Sequence, residues 1–442
     1  MASIISSSAA DRGFHDEEIA TTGRYVVVFS DAVQGDSSAQ AEALSSIAGV
    51  TNIASSFDFT AGALDVGETA SADATIFAQL GIAVMQGDPS QFTSLATAAA
   101  EDNPRILAVE PERILYAIQD PGAVPLDYVR GYRDGVVDLS ERLFGNGATG
   151  AAAQAAETFL DDTASTWGLK ATKVVTSGHT GQGIRVAVLD TGIALDHPDY
   201  AGRVVESQSF VPGEDVQDGN SHGTHCVGTS CGSVSPANVR RYGVAYGADI
   251  FAGKVLGNAG SGSDTYILAG IEWAIANGCR VISMSLGANI RRPSAAYDTV
   301  GRRALAAGSL IIAAAGNNAS RGLGNPGFVG MPANSPSIMA VGALDNQLRV
   351  ANFSAQSNPV DGGQIDIAGP GVAVFSSVPM ATRHGTKNGT SMATPHVAGI
   401  AALWSQATGA TGEALWSILT REARRLDLPS LDVGAGLAQA PQ

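Results

Sequence analysis

Short apolar runs bounded by small and polar residues recur through the C-terminal part of the chain, at 184–189, 249–255, 280–286 and 309–315. Runs of this length between turn residues read as strands buried on both faces. Between them lie stretches of helical spacing, such as Tyr266 to Ala276, where Ile267, Leu268, Ile271 and Ile275 share one face. This alternation predicts an α/β fold, a doubly wound parallel sheet covered on both sides. Nearer the N-terminus, Gly23–Phe29 reads as a strand and 102–112 as another, after a helical stretch. From 118 to 165 the pattern changes again. Leu126, Val129, Tyr132, Val136, Leu139 and Leu143 recur at helical spacing and Ala151 to Leu160 is Ala-rich, so one or two linker helices are expected.

Charge divides the chain at the same place. Residues 1–165 hold 24 acidic and 7 basic side chains, a net of −17, whereas 166–442 hold 18 and 19, a net of +1. A domain boundary near 165 follows, and a near-neutral C-terminal part gives no sign of nucleic-acid binding. No run of about 18 apolar residues is present, so no membrane span is expected. The three cysteines, Cys226, Cys231 and Cys279, cannot all pair, and free thiols are the default. Met1–Ser8 has neither a basic start nor a long apolar core, so the chain as written would stay in the cytoplasm; export with a leader outside these residues is the alternative.

Chemistry enters at Asn388-Gly389-Thr390-Ser391-Met392-Ala393, where a serine sits between a glycine turn and an apolar helical stretch. Alone this would be an ordinary helix cap. Pro395 is compatible with a place in the first helical turn. Two further segments change the reading. Ile184–Leu189 is a strand ending on Asp190-Thr191-Gly192, where α/β sheets place ligands, and Ser221-His222-Gly223-Thr224-His225 puts a histidine at a helix start. Asp190, His222 and Ser391 supply an acid, a base and a nucleophile in the order Asp, His, Ser, one of the known orders of a catalytic triad. A nucleotide site is disfavoured, because Gly181-Gln182-Gly183 precedes its strand and a dinucleotide fingerprint follows one.

From about Trp167 to Leu437 the chain resembles the catalytic domain of the subtilisin-like serine proteases, the subtilases. The resemblance implies a serine endopeptidase acting on proteins or peptides as a monomer, with no cofactor for catalysis. It gives Ser391 the role of nucleophile, His222 that of base and Asp190 that of its orienting acid, with His225 structural. Asn317, in Ala314-Ala315-Gly316-Asn317, is the implied oxyanion donor. Gly260, Ser261 and Gly262, with Ser285, Leu286 and Gly287, match the segments that sandwich an extended substrate. Gly287, Ala314, Gly316 and Gly330 match the primary specificity pocket; all are small and uncharged, which implies a preference for Phe, Tyr, Leu or Met before the cut. A binding protein built on an inactive form of this fold is the other reading, and the filled catalytic positions disfavour it.

Residues 22–118 resemble the family's inhibitory prodomain, an α+β fold that chaperones its enzyme and places its own tail in the cleft, although 50–90 is longer than that pattern needs. The implied organisation is an extension over 1–21, a prodomain over 22–118, a helical linker over 119–165 and the catalytic domain over 166–442. Calcium is the implied structural metal, through Asp199 at a tight site and Asp366 at a weaker one. The loop from Gly232 to Arg241 is longer than the family's and lacks its ligand pattern. Asp190, His222, His225 and Cys226 could suggest zinc, but the triad already needs two of them.

Overall fold

The computed structural model describes residues 20–101, 103–118 and 157–442. The N-terminal domain contains β1 (Thr21–Phe29), β2 (Ile53–Ser55), β3 (Ala74–Phe77), β4 (Ile82–Met85) and β5 (Ile106–Ala117), with helices Ser37–Ala48 and Pro89–Ala100. Its strands lie in the order β5-β1-β4-β3-β2. The continuous apolar run in β1 is explained by burial on both faces. Val27 and Phe29 pack with residues of the domain's own helices, such as Leu44 and Leu95, while Val26 and Val28 join a cluster with Ile267, Ile271 and Val300 of the C-terminal domain. Successive strand residues point to opposite faces, so one run serves two cores.

The C-terminal domain adds β6 (Arg185–Asp190), β7 (Val205–Ser209), β8 (Asp249–Lys254), β9 (Ser261–Ser263), β10 (Val281–Met284), β11 (Leu286–Gly287), β12 (Leu310–Ala314), β13 (Met339–Leu344), β14 (Ile367–Pro370) and a hairpin of β15 (Val374–Ser377) and β16 (His384–Lys387). Seven of these form one sheet in the order β14-β13-β12-β10-β6-β8-β7, every pairing parallel. The chain leaves β6 toward β7 and β8 on one side and returns to β10 on the other, so the topological switch lies beside β6, with Asp190 at its carboxyl end. Among the described residues no helix is long and apolar enough to cross a membrane.

Two carboxylates of β5 join the domains. Glu110 accepts from the Ala295 N–H and the Ser294 hydroxyl, both at 2.6 Å, at the start of helix Ala295–Ala306. Glu112 accepts from the Thr265 N–H at 3.0 Å at the start of helix Asp264–Ala276 and pairs with Arg24. Each satisfies an orphan helix donor and places negative charge at the positive end of a helix dipole. The expected linker helices lie outside the described residues, apart from 157–160, which are not helical. Here Phe159 N–H bonds the Asn346 carbonyl at 2.8 Å, and Asp161 accepts from the Trp167 N–H at 2.7 Å.

Candidate active site

Asp190, His222 and Ser391 are brought together from β6 and from the first turns of helices His222–Cys231 and Thr390–Thr408. Asp190 Oδ1 accepts from its neighbour Thr191 N–H at 2.7 Å and from His222 Nδ1 at 2.8 Å, which fixes Nε2 as the basic nitrogen. Asp218 holds the histidine helix in place. Its Oδ2 accepts from Thr224 N–H and its Oδ1 from the Thr191 hydroxyl, so one buried carboxylate caps the helix and ties it to the residue after Asp190. His225 is structural: Nε2 bonds the Val374 carbonyl at 3.0 Å, and burial pushes its pKa down to about 3.

Ser391 Oγ does not bond His222, whose buried Nε2 has no partner among the described residues. It lies instead 2.8 Å from the carbonyl oxygen of Ile118, the residue after β5, and 3.1 Å from that of Ser285. Asn317 Nδ2 reaches the same Ile118 oxygen at 3.3 Å. The amide is oriented by Thr390, whose N–H and hydroxyl both donate to Asn317 Oδ1 at 2.9 Å. Gly389 leaves room for this convergence. At φ 147° it adopts a backbone that other residues avoid, and a Cβ there would stand 3.0 Å from Asn317 Nδ2 and 3.4 Å from Ile118 O.

The rest of the tail lies as an added strand between β9 and β11. Ile114, Leu115 and Tyr116 pair antiparallel with Ser263, Gly262 and Ser261, while Tyr116 and Ala117 pair with Gly287 and Leu286. Ala117 N–H donates to the Gly260 carbonyl at 2.8 Å and Ile118 N–H to that of Ser285 at 3.3 Å. Beside it is a cavity of about 610 Å³ lined in part by Ile118, Gly287, Ala288, Ala315, Gly316 and Gly330. Ile118 reaches into it, for a Cβ on Gly287 would stand 3.0 Å from Ile118 Cδ1. Ala314, in β12, is not among the lining residues; Ala315 lies there instead.

Two expectations are corrected. Pro395 is the sixth residue of its helix, not in the first turn. Lacking an N–H, it cannot bond the carbonyl of Ser391 four residues earlier. That oxygen accepts from the Ser285 hydroxyl at 2.8 Å, with Cys226 Sγ 3.6 Å away. The surroundings of Asp199 do not fit calcium, which binds oxygens in sixes to eights. Its Oδ2 accepts from the Tyr242 hydroxyl and meets His384 Nε2, so a ring nitrogen and a donating O–H stand around the carboxylate in place of a shell of acceptor oxygens. Asp366 offers a lone carboxyl outside both dense His/Cys/Asp/Glu clusters of the described residues; its Oδ2 accepts from Ala340 N–H, and burial pushes its pKa up to about 7. All three cysteines are free and buried, Cys226 within 3.9 Å of His222 Nδ1.

Comparison with known proteins bears on the same elements. Residues 181–436, more than half of the chain, match the model of the Subtilase family. Subtilisin E of Bacillus subtilis is 45% identical over 237 residues, 53% of this chain and 58% of that protein. Alkaline elastase YaB of a Bacillus strain is 46% identical over 230 residues, 52% of this chain and 56% of its own length. The match to the subtilisin of Bacillus pumilus, 44% identical, spans 81% of that protein. Two of these three relatives are thus matched over little more than half their length. With the parallel sheet, the three triad segments and the Asn317 turn each in its expected place, the chain belongs to the subtilase family.

Proposed function

We propose that this subtilase is a serine endopeptidase made as a self-inhibited precursor, with residues up to Ile118 as its inhibitory prodomain. The observation that carries the reading is the Ile118 carbonyl, met at once by the hydroxyl of Ser391 and the amide of Asn317. In the reaction Ser391 Oγ attacks this carbonyl carbon while His222 Nε2 takes its proton; Asp190 stabilises the imidazolium, and Asn317 the oxyanion. His222 then returns the proton to the leaving amine of Gln119, and water hydrolyses the acyl-enzyme by the same steps reversed.

The first cut therefore falls between Ile118 and Gln119. The freed tail can stay as an inhibitor, since its main-chain bonds to β9 and β11 do not depend on the cut bond. Further trimming is expected to stop near 157–160, where the Phe159 and Asp161 contacts tie the chain to the catalytic domain. Substrates outside the chain are read the same way, with a large apolar side chain in the pocket beside Gly287, Gly316 and Gly330.

The purified protein should hydrolyse peptides after Phe, Tyr, Leu or Met and take up one equivalent of a serine-directed phosphonyl reagent on Ser391. Hydrolysis that persists in Ser391→Ala would overturn the assignment. Tight peptide binding without turnover in wild type would favour a binding protein on an inactive fold.

A further inference from the structure

One cluster of metal-competent side chains lies apart from the triad. His197, Asp199 and His384 each offer one ligand atom, all within 4.8 Å of one another. The first two flank the start of the short turn Pro198–Tyr200 that follows β6, and the third opens β16, which leads to Gly389 and Ser391. The side chains of His197 and Asp199 are 0% and 1% exposed, and that of His384 11%, so the last gives an ion its way in.

The hydrogen bonds suit coordination. His197 Nε2 lies 2.7 Å from the carbonyl oxygen of Arg383, so it carries the ring proton, and the Nδ1 lone pair faces Asp199, 4.0 Å from Oδ2, where it accepts that residue's N–H at 3.2 Å, a bond that an ion would replace. Histidine ligands of metals commonly donate their other ring nitrogen to a carbonyl in this way. His384 Nε2 stands 2.9 Å from the same Oδ2, which also accepts from the Tyr242 hydroxyl. The separations of 2.9 and 4.0 Å bracket the roughly 3.3 Å between two ligands of a tetrahedral ion whose bonds are about 2.0–2.1 Å long.

We propose that His197, Asp199 and His384 form a site for a divalent first-row transition ion of the zinc class, at the position where the family resemblance implies calcium. Two imidazoles and one carboxylate are a donor set for such ions and a poor one for calcium. Coordination through His384 Nε2 leaves the ring proton on Nδ1 and replaces the hydrogen bond to Asp199 Oδ2 by bonds from both groups to the ion. The bound ion clasps the turn after β6 to the hairpin before the nucleophile.

The test uses the full chain carrying Ser391→Ala, stripped by chelator and titrated with Co2+ as a visible probe and then with Zn2+. One Co2+ per chain should give the absorption of a tetrahedral site, bleached by one equivalent of Zn2+ and untouched by millimolar Ca2+. His384→Gln should lower Zn2+ affinity at least about 100-fold. Adding His222→Ala should leave the band intact, because Asp190, His222 and Cys226 form the other cluster among the described residues that could hold the ion. No band in the Ser391→Ala chain, a band that survives His384→Gln, or a band lost with His222→Ala would each overturn the proposal. The parent titration decides even if a variant fails to fold.

Discussion

Ser285 donates its hydroxyl to the carbonyl oxygen of Ser391 at 2.8 Å, taking the place of the helix N–H that Pro395 lacks. The Ser391 peptide group is thereby held from β11's side of the cleft instead of by its own helix. The same Ser285 receives the tail, through its carbonyl oxygen and Ile118 N–H. One residue therefore holds both Ser391 and the tail residue whose carbonyl lies against it.

Ser285→Ala should leave the Ser391 carbonyl with only the weak Cys226 thiol donor. Losing a buried hydrogen bond of this kind costs about 1–3 kcal/mol. The thermal midpoint of the phosphonyl-inhibited variant should fall by several degrees, and an unchanged midpoint would show that the bond adds nothing.

Asn317→Leu should lower kcat about 10² to 10³-fold with KM little changed, a magnitude known from subtilisin. Thr390→Val removes one of the two bonds that orient the amide and should lower kcat less, by about tenfold, again without a comparable change in KM. A rise in KM alone in either variant would place these groups in substrate binding and not in the transition state.

The grip of the N-terminal domain should weaken as pH rises. Asp264 and Glu272 accept from Arg113 N–H and Gln79 N–H, both at 2.7 Å, and burial raises each carboxyl to about 7. A carboxyl raised from about 4 holds a proton in the complex that it gives up when exposed, so association is strongest at low pH and falls through the window between the two values. After the first cut, gel filtration should find the two fragments together at pH 5.5 and increasingly apart at pH 8, and Glu272→Gln should flatten the change. Equal co-elution at both pH values would contradict the assignment.

Much of the site was legible in the sequence because it is written in short segments. Asp190, His222, Ser391 and Asn317 each stand in a local strand-to-turn or turn-to-helix context, and the four parallel strands read from the sequence appear within one or two residues of their expected bounds, whereas β7, β13 and β14 of the same sheet were not read. What was not legible depends on contacts between distant segments. The sequence placed the tail around 114–118 in the cleft but ended the second N-terminal strand at 112, whereas the two are one strand, β5, running to Ala117 because its last residues pair with β9 and β11 of the other domain. Asp218 and Thr390 carry no signal of their own beyond a polar side chain near a turn. Asp199 looked like an oxygen ligand from its neighbours in sequence, but its partners Tyr242 and His384 lie 43 and 185 residues away.

Ser391 Oγ lies 2.8 Å from the chain's own Ile118 carbonyl oxygen, at the bond where the first cut is expected. Intact-mass analysis of the freshly made protein over time tests it directly. Wild type should yield an N-terminal fragment ending at Ile118 and a complementary catalytic fragment, while Ser391→Ala stays a single chain of full length. Full activity in an uncut wild-type chain, or a first cut elsewhere than after Ile118, would contradict the account.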